Sequence, residues 1–377
     1  MNSRKITTVI TKDYDTKDAE NRPVIKVADR PTFILKTREG ESRAVSPSQR
    51  NGAKKETDAS ASTSTKSCEA RLLMTLPQEM TSSVKFMDEN MQLYENVLEE
   101  LIDQQDFLVV GILGTQGVGK STILSLLTSN YGSELFAVQK SSHHKNGINC
   151  TSGIDFYVTK NRVIYLDTQP ILSSSIMTST NTTLEHYVNS EYNLEIQSLQ
   201  FTAFLYSVCH VIIFVQDWFV DPNLIRFIQT TEMLKPSSTS NLDQDYIEYY
   251  PHMLFLHNKA EVDDFTPDIL KIMTEFYDKV FSRSRLQTHS GLNMSSSSTD
   301  GQLNLFLIPE IKSQSEPIIH ENEKELIQKL RNKIHGILRN PLTPSALTEK
   351  NWYHYAFKVV EAIKKSHLFV EYGRLLP

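Results

Sequence analysis

From Phe107 onward, short apolar runs alternate with stretches that are apolar at every third or fourth position. Phe107–Leu113 is a continuous apolar run, the pattern of a strand buried on both faces. The spacing then predicts a helix over Ser121–Ser129 and two strands, Gly153–Thr159 and Arg162–Asp167. Those two are joined by a tight turn at Lys160 and Asn161, so they pair antiparallel. Next come a helix over Leu194–Val208, a strand over Val211–Gln216 and a helix over Pro222–Leu234 with proline in its first turn. A strand at His252–His257, a helix at Pro267–Phe281 and a strand at Leu303–Ile308 follow, and helices over Asn322–Leu338 and Thr348–Tyr372 close the chain. Upstream, Met91, Tyr94, Leu98, Leu101 and Ile102 recur at helical spacing and predict one more helix.

Strands alternating with helices imply a mostly parallel sheet with helices on both faces. An early antiparallel hairpin in that order is the topology of a P-loop, G-domain-like α/β fold. Polar insertions at about 172–193, 236–249 and 284–301 are expected as mobile surface loops. No internal repeat is present.

Charge divides the chain. Residues 1–67 carry 14 Lys/Arg and 9 Asp/Glu, a net of +5, and the remainder carries 25 and 36, a net of −11. The first segment has few large apolar residues and ends in a serine- and threonine-rich run, too little to offset its ordering entropy. The expected organisation is a disordered basic tail over 1–79 and a P-loop G-fold domain with N- and C-terminal flanking helices over 80–377. The overall charge of −6 argues against a general nucleic-acid binder, and direct RNA binding is not expected. Cys68, Cys150 and Cys209 lie far apart, without a CxxC pair, which disfavours a zinc module or disulfide framework. The polar N-terminus reads as no signal peptide, and no apolar stretch reaches the ~20 residues of a membrane span. A cytoplasmic protein is expected.

The chemistry gathers at Gly114-Thr-Gln-Gly-Val-Gly-Lys-Ser121, which matches G-x-x-x-x-G-K-[ST] directly after a predicted strand. Glycines Gly114, Gly117 and Gly119 let the backbone curl so that N–H groups point at phosphate oxygens. Lys120 reaches the β- and γ-phosphates, Ser121 can ligate Mg²⁺, and the following helix presents its positive end. Asp167, ending the next parallel strand, would hold Mg²⁺ through water, and Thr151 stands where G domains place a metal-touching threonine.

Two departures qualify this site. G domains continue the aspartate as D-x-x-G, but here the run is Asp167-Thr-Gln-Pro170-Ile171. Proline has no N–H for the γ-phosphate, and Ile171 cannot orient a water. Gln169 is one residue early, and Arg162 sits in a strand rather than on a lid. The expectation is nucleotide binding with slow or absent hydrolysis. For the base, Asn258-Lys259-Ala-Glu261 takes the place of N-K-x-D, with Glu261 one methylene longer than the usual guanine-reading aspartate. Guanine (GTP or GDP) is favoured over adenine (ATP or ADP), with both left open.

Other residues have plainer readings. His143-His144 reads as a solvated pair, Cys209 and His210 as core, and Trp352, Tyr355, Val359 and Ile363 as a stripe packed on the sheet. Trp218 is either a core anchor or an exposed interface aromatic.

Several longer strings accompany the motif: Leu166-Asp-Thr-Gln-Pro-Ile-Leu172, Val215-Gln-Asp-Trp-Phe219, Thr231-Glu-Met-Leu-Lys-Pro-Ser237, Leu347-Thr-Glu-Lys-Asn-Trp352 and Glu371-Tyr-Gly-Arg-Leu-Leu376. With Phe107–Gly111, Thr151–Phe156 and Val208–Val211, they make the sequence over about 107–377 resemble the family of the ninth SMG factor of nonsense-mediated mRNA decay. The resemblance implies a G-fold regulatory subunit that pairs with the eighth SMG factor in a dynamin-like heterodimer. It further implies that the pair restrains a phosphatidylinositol-3-kinase-related protein kinase. It places the nucleotide site on Gly114 to Thr122, which includes Gln116 and Val118, and implies a poor GTPase. The alternatives are an active dynamin-like GTPase stimulated by dimerisation and a small-molecule kinase, for which an arginine-bearing lid is missing.

Overall fold

The computed structural model describes residues 80–128, 135–138, 150–173, 185–237, 248–295, 301–310 and 323–376. The expected tail over 1–79 and the His143-His144 pair lie outside the described residues.

Seven strands form one sheet: β1 (Val84–Met87), β2 (Leu108–Leu113), β3 (Ile154–Val158), β4 (Val163–Thr168), β5 (Val211–Gln216), β6 (His252–Ala260) and β7 (Leu305–Pro309). Their spatial order is β1-β3-β4-β2-β5-β6-β7. The run β4-β2-β5-β6-β7 is parallel, and β3 and β1 join antiparallel at one edge. The predicted α/β class and hairpin are therefore present, and β2 is the central strand, buried along its whole length. A strand buried on both faces needs the unbroken apolar run seen in the sequence.

The helices are α1 (Lys120–Leu127), α2 (Glu185–Val208), α3 (Pro222–Leu234), α4 (Pro267–Val280), α5 (Glu323–His335), α6 (Glu349–Lys364) and α7 (His367–Leu375). Tyr165 donates from its hydroxyl to Leu127 O, and Arg331 of α5 donates to Leu126 O, Leu127 O and Thr128 O, so α1 and α5 share one face. Gly111 lies against Leu205 and Cys209, and its neighbour across the ladder is Ile212. Alternation carries that face through Phe214 to Phe255, which stacks on Tyr277 at 4.2 Å, so α2 and α4 cover the other face. Helix α6 packs on α2, with Trp352 fully buried and donating to Val208 O at 2.8 Å. The stripe expected on the sheet is buried instead mainly on α2, where Tyr355 also donates to Ser207 O, and Trp352 meets the sheet's edge through Phe86 of β1. No helix among the described residues is long and apolar enough to cross a membrane.

Four expectations are corrected. The helix predicted at 91–102 is only a 3₁₀ turn at Glu95–Glu99. The Asp88 carboxylate accepts from Asn90 N and Gln92 N, Met91 adopts a φ of 58°, and Tyr94 N bonds Phe86 O. A short side chain that satisfies backbone N–H groups in a turn competes with helix. The apolar residues Met91, Val97 and Leu101 are still buried, but without helical phase. The predicted helix Thr348–Tyr372 breaks at Ser366, where the chain turns so that Phe369 is buried and the Tyr372 hydroxyl reaches Glu195 at 2.7 Å. The insertion at 172–193 is helical from Glu185. In the insertion at 284–301, the described part is tied to the sheet. Gln287 bonds Pro251 O and Met253 N, and the fully buried Asn304 side chain accepts from Ser290 N and Leu292 N.

His210 closes the floor of β2 and β5. Its Nδ1 accepts the Val109 N–H at 3.0 Å, so the proton of the neutral ring sits on Nε2. Burial, with Arg339 and His252 nearby, pulls its pKa down to about 3. The folded value lies below the unfolded one of about 6.5, so acid protonates the unfolded chain first and stability falls with pH through that window. We expect the wild type to lose up to about 1.4 kcal/mol per pH unit below pH ~6.5 relative to His210→Asn, whose amide oxygen can still accept from Val109. Denaturant titrations at pH 7 and pH 5 check this, and parallel profiles for the two proteins would contradict it.

Candidate functional site

The site lies at the carboxyl end of the parallel strands, where α/β sheets place ligands. The chain leaves β2 at Gly114 and enters α1 at Lys120. Gly114 passes beneath β5, where a Cβ would stand 2.5 Å from Val215 O. Gly119 adopts a φ of 98°, and a Cβ there would meet the Asn258 amide nitrogen at 2.4 Å. Glycine is thus required at Gly114 by close approach to the β5 backbone, and at Gly119 by its left-handed φ.

The loop is braced from β6. Asn258 Nδ2 donates to Val118 O at 2.8 Å, and Lys259 Nζ donates to Gly117 O at 2.9 Å while pairing with Asp217 at 3.2 Å. Lys120 Nζ donates to Gly114 O and Thr115 O, both at 3.0 Å. Ser121 Oγ and Thr151 Oγ1 donate to the same oxygen of Asp167, Oδ2, at 2.7 and 3.1 Å. Asp167 is fully buried and its other oxygen, Oδ1, has no hydrogen-bond partner among the described residues. Burial pushes the Asp167 carboxyl up to about 6, partly opposed by Lys120. Burial pulls Lys120 down to about 8, partly opposed by Asp167. Each group is costly to keep charged alone, and a bound anion and cation would supply what each lacks.

A cavity of about 360 Å³ opens over these groups. Of the residues singled out from the sequence, Gln116, Gly117, Gly119, Lys120, Ser121, Thr122, Thr151, Asn258 and Lys259 line it. Gly114 and the buried Val118 form the loop beneath, and Asp167 stands behind Ser121 and Thr151. Glu261 is not on the wall. It caps the 3₁₀ turn Val262–Phe265 in a reciprocal pair with Asp264. Sequence reasoning did not single out Val138, Cys150, Pro309 or Glu310, which do line the cavity. Only the rule that sites gather at strand ends could have found Pro309 and Glu310, since no motif marks them.

The oxygen set of Ser121, Thr151 and Asp167 suits a hard divalent cation such as Mg²⁺, and the unpartnered Asp167 oxygen leaves acceptor capacity for its water shell. No cluster of three or more His, Cys, Asp or Glu side chains suited to a metal occurs among the described residues.

Beside the cradle, the residues that follow Asp167 are engaged elsewhere or carry no donor. Pro170 lines the cavity without an N–H to donate. Ile171 is buried and its N–H is spent on Gly114 O at 3.2 Å. Gln169 is locked to the start of β3, since its N–H donates to Gly153 O and its Oε1 accepts from Gly153 N, both at 2.8 Å. Arg162 is far from the cavity. It lies in the β3–β4 turn at φ 56°, not within the strand as expected, and is buried against Glu349. No arginine lines the cavity among the described residues. Trp218, left open by the sequence, is exposed, and Cys209 is core.

Strand order and phosphate loop define a P-loop α/β protein of G-domain-like topology. No family model matches the sequence. Curated relatives do: nonsense-mediated mRNA decay factor SMG9 of Xenopus laevis is 41% identical, with the match covering 80% of this chain and 68% of the relative. SMG9 of Salmo salar is 40% identical over 79% of this chain and 68% of the relative, and SMG9 of Caenorhabditis elegans is 24% identical over 79% of each. The chain belongs to the SMG9 family of nonsense-mediated mRNA decay factors. Among solved structures, a bacterial selenocysteine-specific elongation factor EF-Sec matches 60% of this chain and 28% of its own, at 11% identity and TM-score 0.32. The fold assignment stands on the strand order instead.

Proposed function

We propose that this chain is a nucleotide-binding, non-hydrolysing regulatory subunit in nonsense-mediated mRNA decay. It holds a purine nucleoside di- or triphosphate with Mg²⁺, GTP or GDP by the motif, with ATP or ADP also accommodated. The observation that carries the reading is the contrast within one cavity: Lys120, Ser121, Thr151 and Asp167 are assembled, whereas Gln169 and Ile171 are tied down and Pro170 has no donor. A site that binds phosphates but cannot orient water favours a structural or signalling nucleotide, which stabilises the native state by mass action. By the family resemblance, the subunit pairs with the eighth SMG factor and restrains a phosphatidylinositol-3-kinase-related kinase in the cytoplasm.

The test is chromatographic nucleotide analysis of the full chain, alone and co-purified with that partner, after incubation with GTP or ATP and Mg²⁺. About one nucleotide per chain and no product above the uncatalysed background are expected. Sustained turnover that disappears in Lys120→Ala would instead mean a GTPase completed by its partner. Absence of any bound nucleotide would remove the reading altogether.

A further inference from the structure

The path of β6 separates the two carboxylates available to read a base. β6 pairs with β7 up to His257↔Leu307, then shifts register before pairing resumes at Ala260↔Pro309. Asn258 and Lys259 are the displaced residues, with Lys259 at φ 58°, and both turn their side chains onto the phosphate loop. A bulge of this kind re-aims side chains and then returns the strand to its course. The returning strand carries Glu261 past the rim, where its N–H donates to Asp264 Oδ2 at 2.8 Å and its side chain forms the other half of a capping pair with Asp264.

The same resumed pairing brings the end of β7 to the wall. Glu310 N donates to Ala260 O at 3.2 Å, and Glu310 lines the cavity beside Asn258, Lys259 and Pro309. It is the one carboxylate among the described lining residues. Lys120, Ser121 and Thr151 mark the end that suits phosphates, and a carboxylate would repel them there. Glu310 is instead tied to β6 at Ala260, and the nucleotide-binding reading puts the nucleoside on that side.

We propose that Glu310, and not Glu261, is the residue that selects the base. An ionised carboxylate only accepts hydrogen bonds, so its partner is a purine edge that carries N–H: the exocyclic amino group of adenine, or the ring and exocyclic N–H pair of guanine. This rests on the nucleotide-binding reading above.

The experiment compares GTP, ATP, purine riboside 5′-triphosphate and inorganic tripolyphosphate by calorimetric titration of the full chain with Mg²⁺. Purine riboside triphosphate has no edge N–H, and tripolyphosphate probes the cradle alone. The wild type is expected to prefer the better of GTP and ATP over purine riboside triphosphate by about tenfold, the scale of one charge-assisted hydrogen bond. Glu310→Ala should erase that preference and leave tripolyphosphate affinity unchanged, while Glu261→Ala should keep the preference. Preference retained in Glu310→Ala, or lost in Glu261→Ala, overturns the assignment, as does a wild type without preference. If the wild type binds tripolyphosphate and nucleotides alike not at all, the nucleotide-binding reading falls and this assignment with it.

Discussion

Lys120→Ala is expected to remove nucleotide binding while the protein stays folded. The Lys120 ammonium is buried inside the loop and rests on two carbonyl oxygens. Without an anion it is poorly compensated, which is why burial draws its pKa down to about 8. Deleting it therefore relieves a desolvated charge, and the resting melting temperature should hold. With nucleotide present the balance reverses, because the same ammonium neutralises phosphate in a site of low dielectric. Truncating one partner of such a buried charge contact costs about 2–5 kcal/mol, so affinity should fall by about thirtyfold to a few thousandfold. Thermal melts with and without GTP or ATP and Mg²⁺ read both effects at once. A ligand-induced shift that survives the substitution would mean the anion is held elsewhere.

The second large effect is structural and lies at the opposite end of β4. Glu349 is fully buried at the first turn of α6. It accepts from Arg162 Nε at 2.7 Å, from Arg162 Nη2, and from Ile102 N at 3.0 Å. Arg162 also donates to Glu100 O at 3.0 Å. One ion pair thus joins the β3–β4 turn, the segment after the 3₁₀ turn and the start of α6. Glu349→Ala leaves the guanidinium buried without its carboxylate and Ile102 N without an acceptor. Breaking a buried pair from one side costs about 3–5 kcal/mol. That is a large part of the ~5–15 kcal/mol that holds a domain together. The pair Arg162→Met with Glu349→Leu should recover most of the loss, since an apolar replacement carries no desolvation penalty. Denaturant midpoints of the single and double variants decide it, and a single variant within about 1 kcal/mol of wild type would show that the pair is solvated or readily replaced.

The phosphate cradle was legible in the chain because its parts are local. Gly114, Gly119 and Lys120 act within one short loop, whose positive-φ positions need glycine and whose anion needs a cation wherever the loop occurs. Asp167 and Thr151 were legible one step less directly, through the rule that strand ends meet at the sheet's carboxyl edge. The helix predicted at 91–102 shows where periodicity misleads. Its apolar residues are buried as their type demands, but the Asp88 turn supplied the backbone with other partners. Glu261 shows the same limit at the site. Its spacing from Asn258 matches a base-reading motif, yet the spacing says nothing of the register shift at Lys259 that sends it elsewhere.

By itself, then, the sequence determined the strand and helix alternation, the anion-binding loop and the missing donor at Pro170. Each of these follows from side-chain size, backbone freedom or a covalent absence at a known position. Only the tertiary structure decided that Gln169 is locked to Gly153, that Arg162 serves a buried pair with Glu349, and that Glu310 rather than Glu261 stands on the cavity wall. Those outcomes depend on which strands pair and in what register. Register is set by the packing of the whole sheet, and one displaced residue re-aims every side chain that follows.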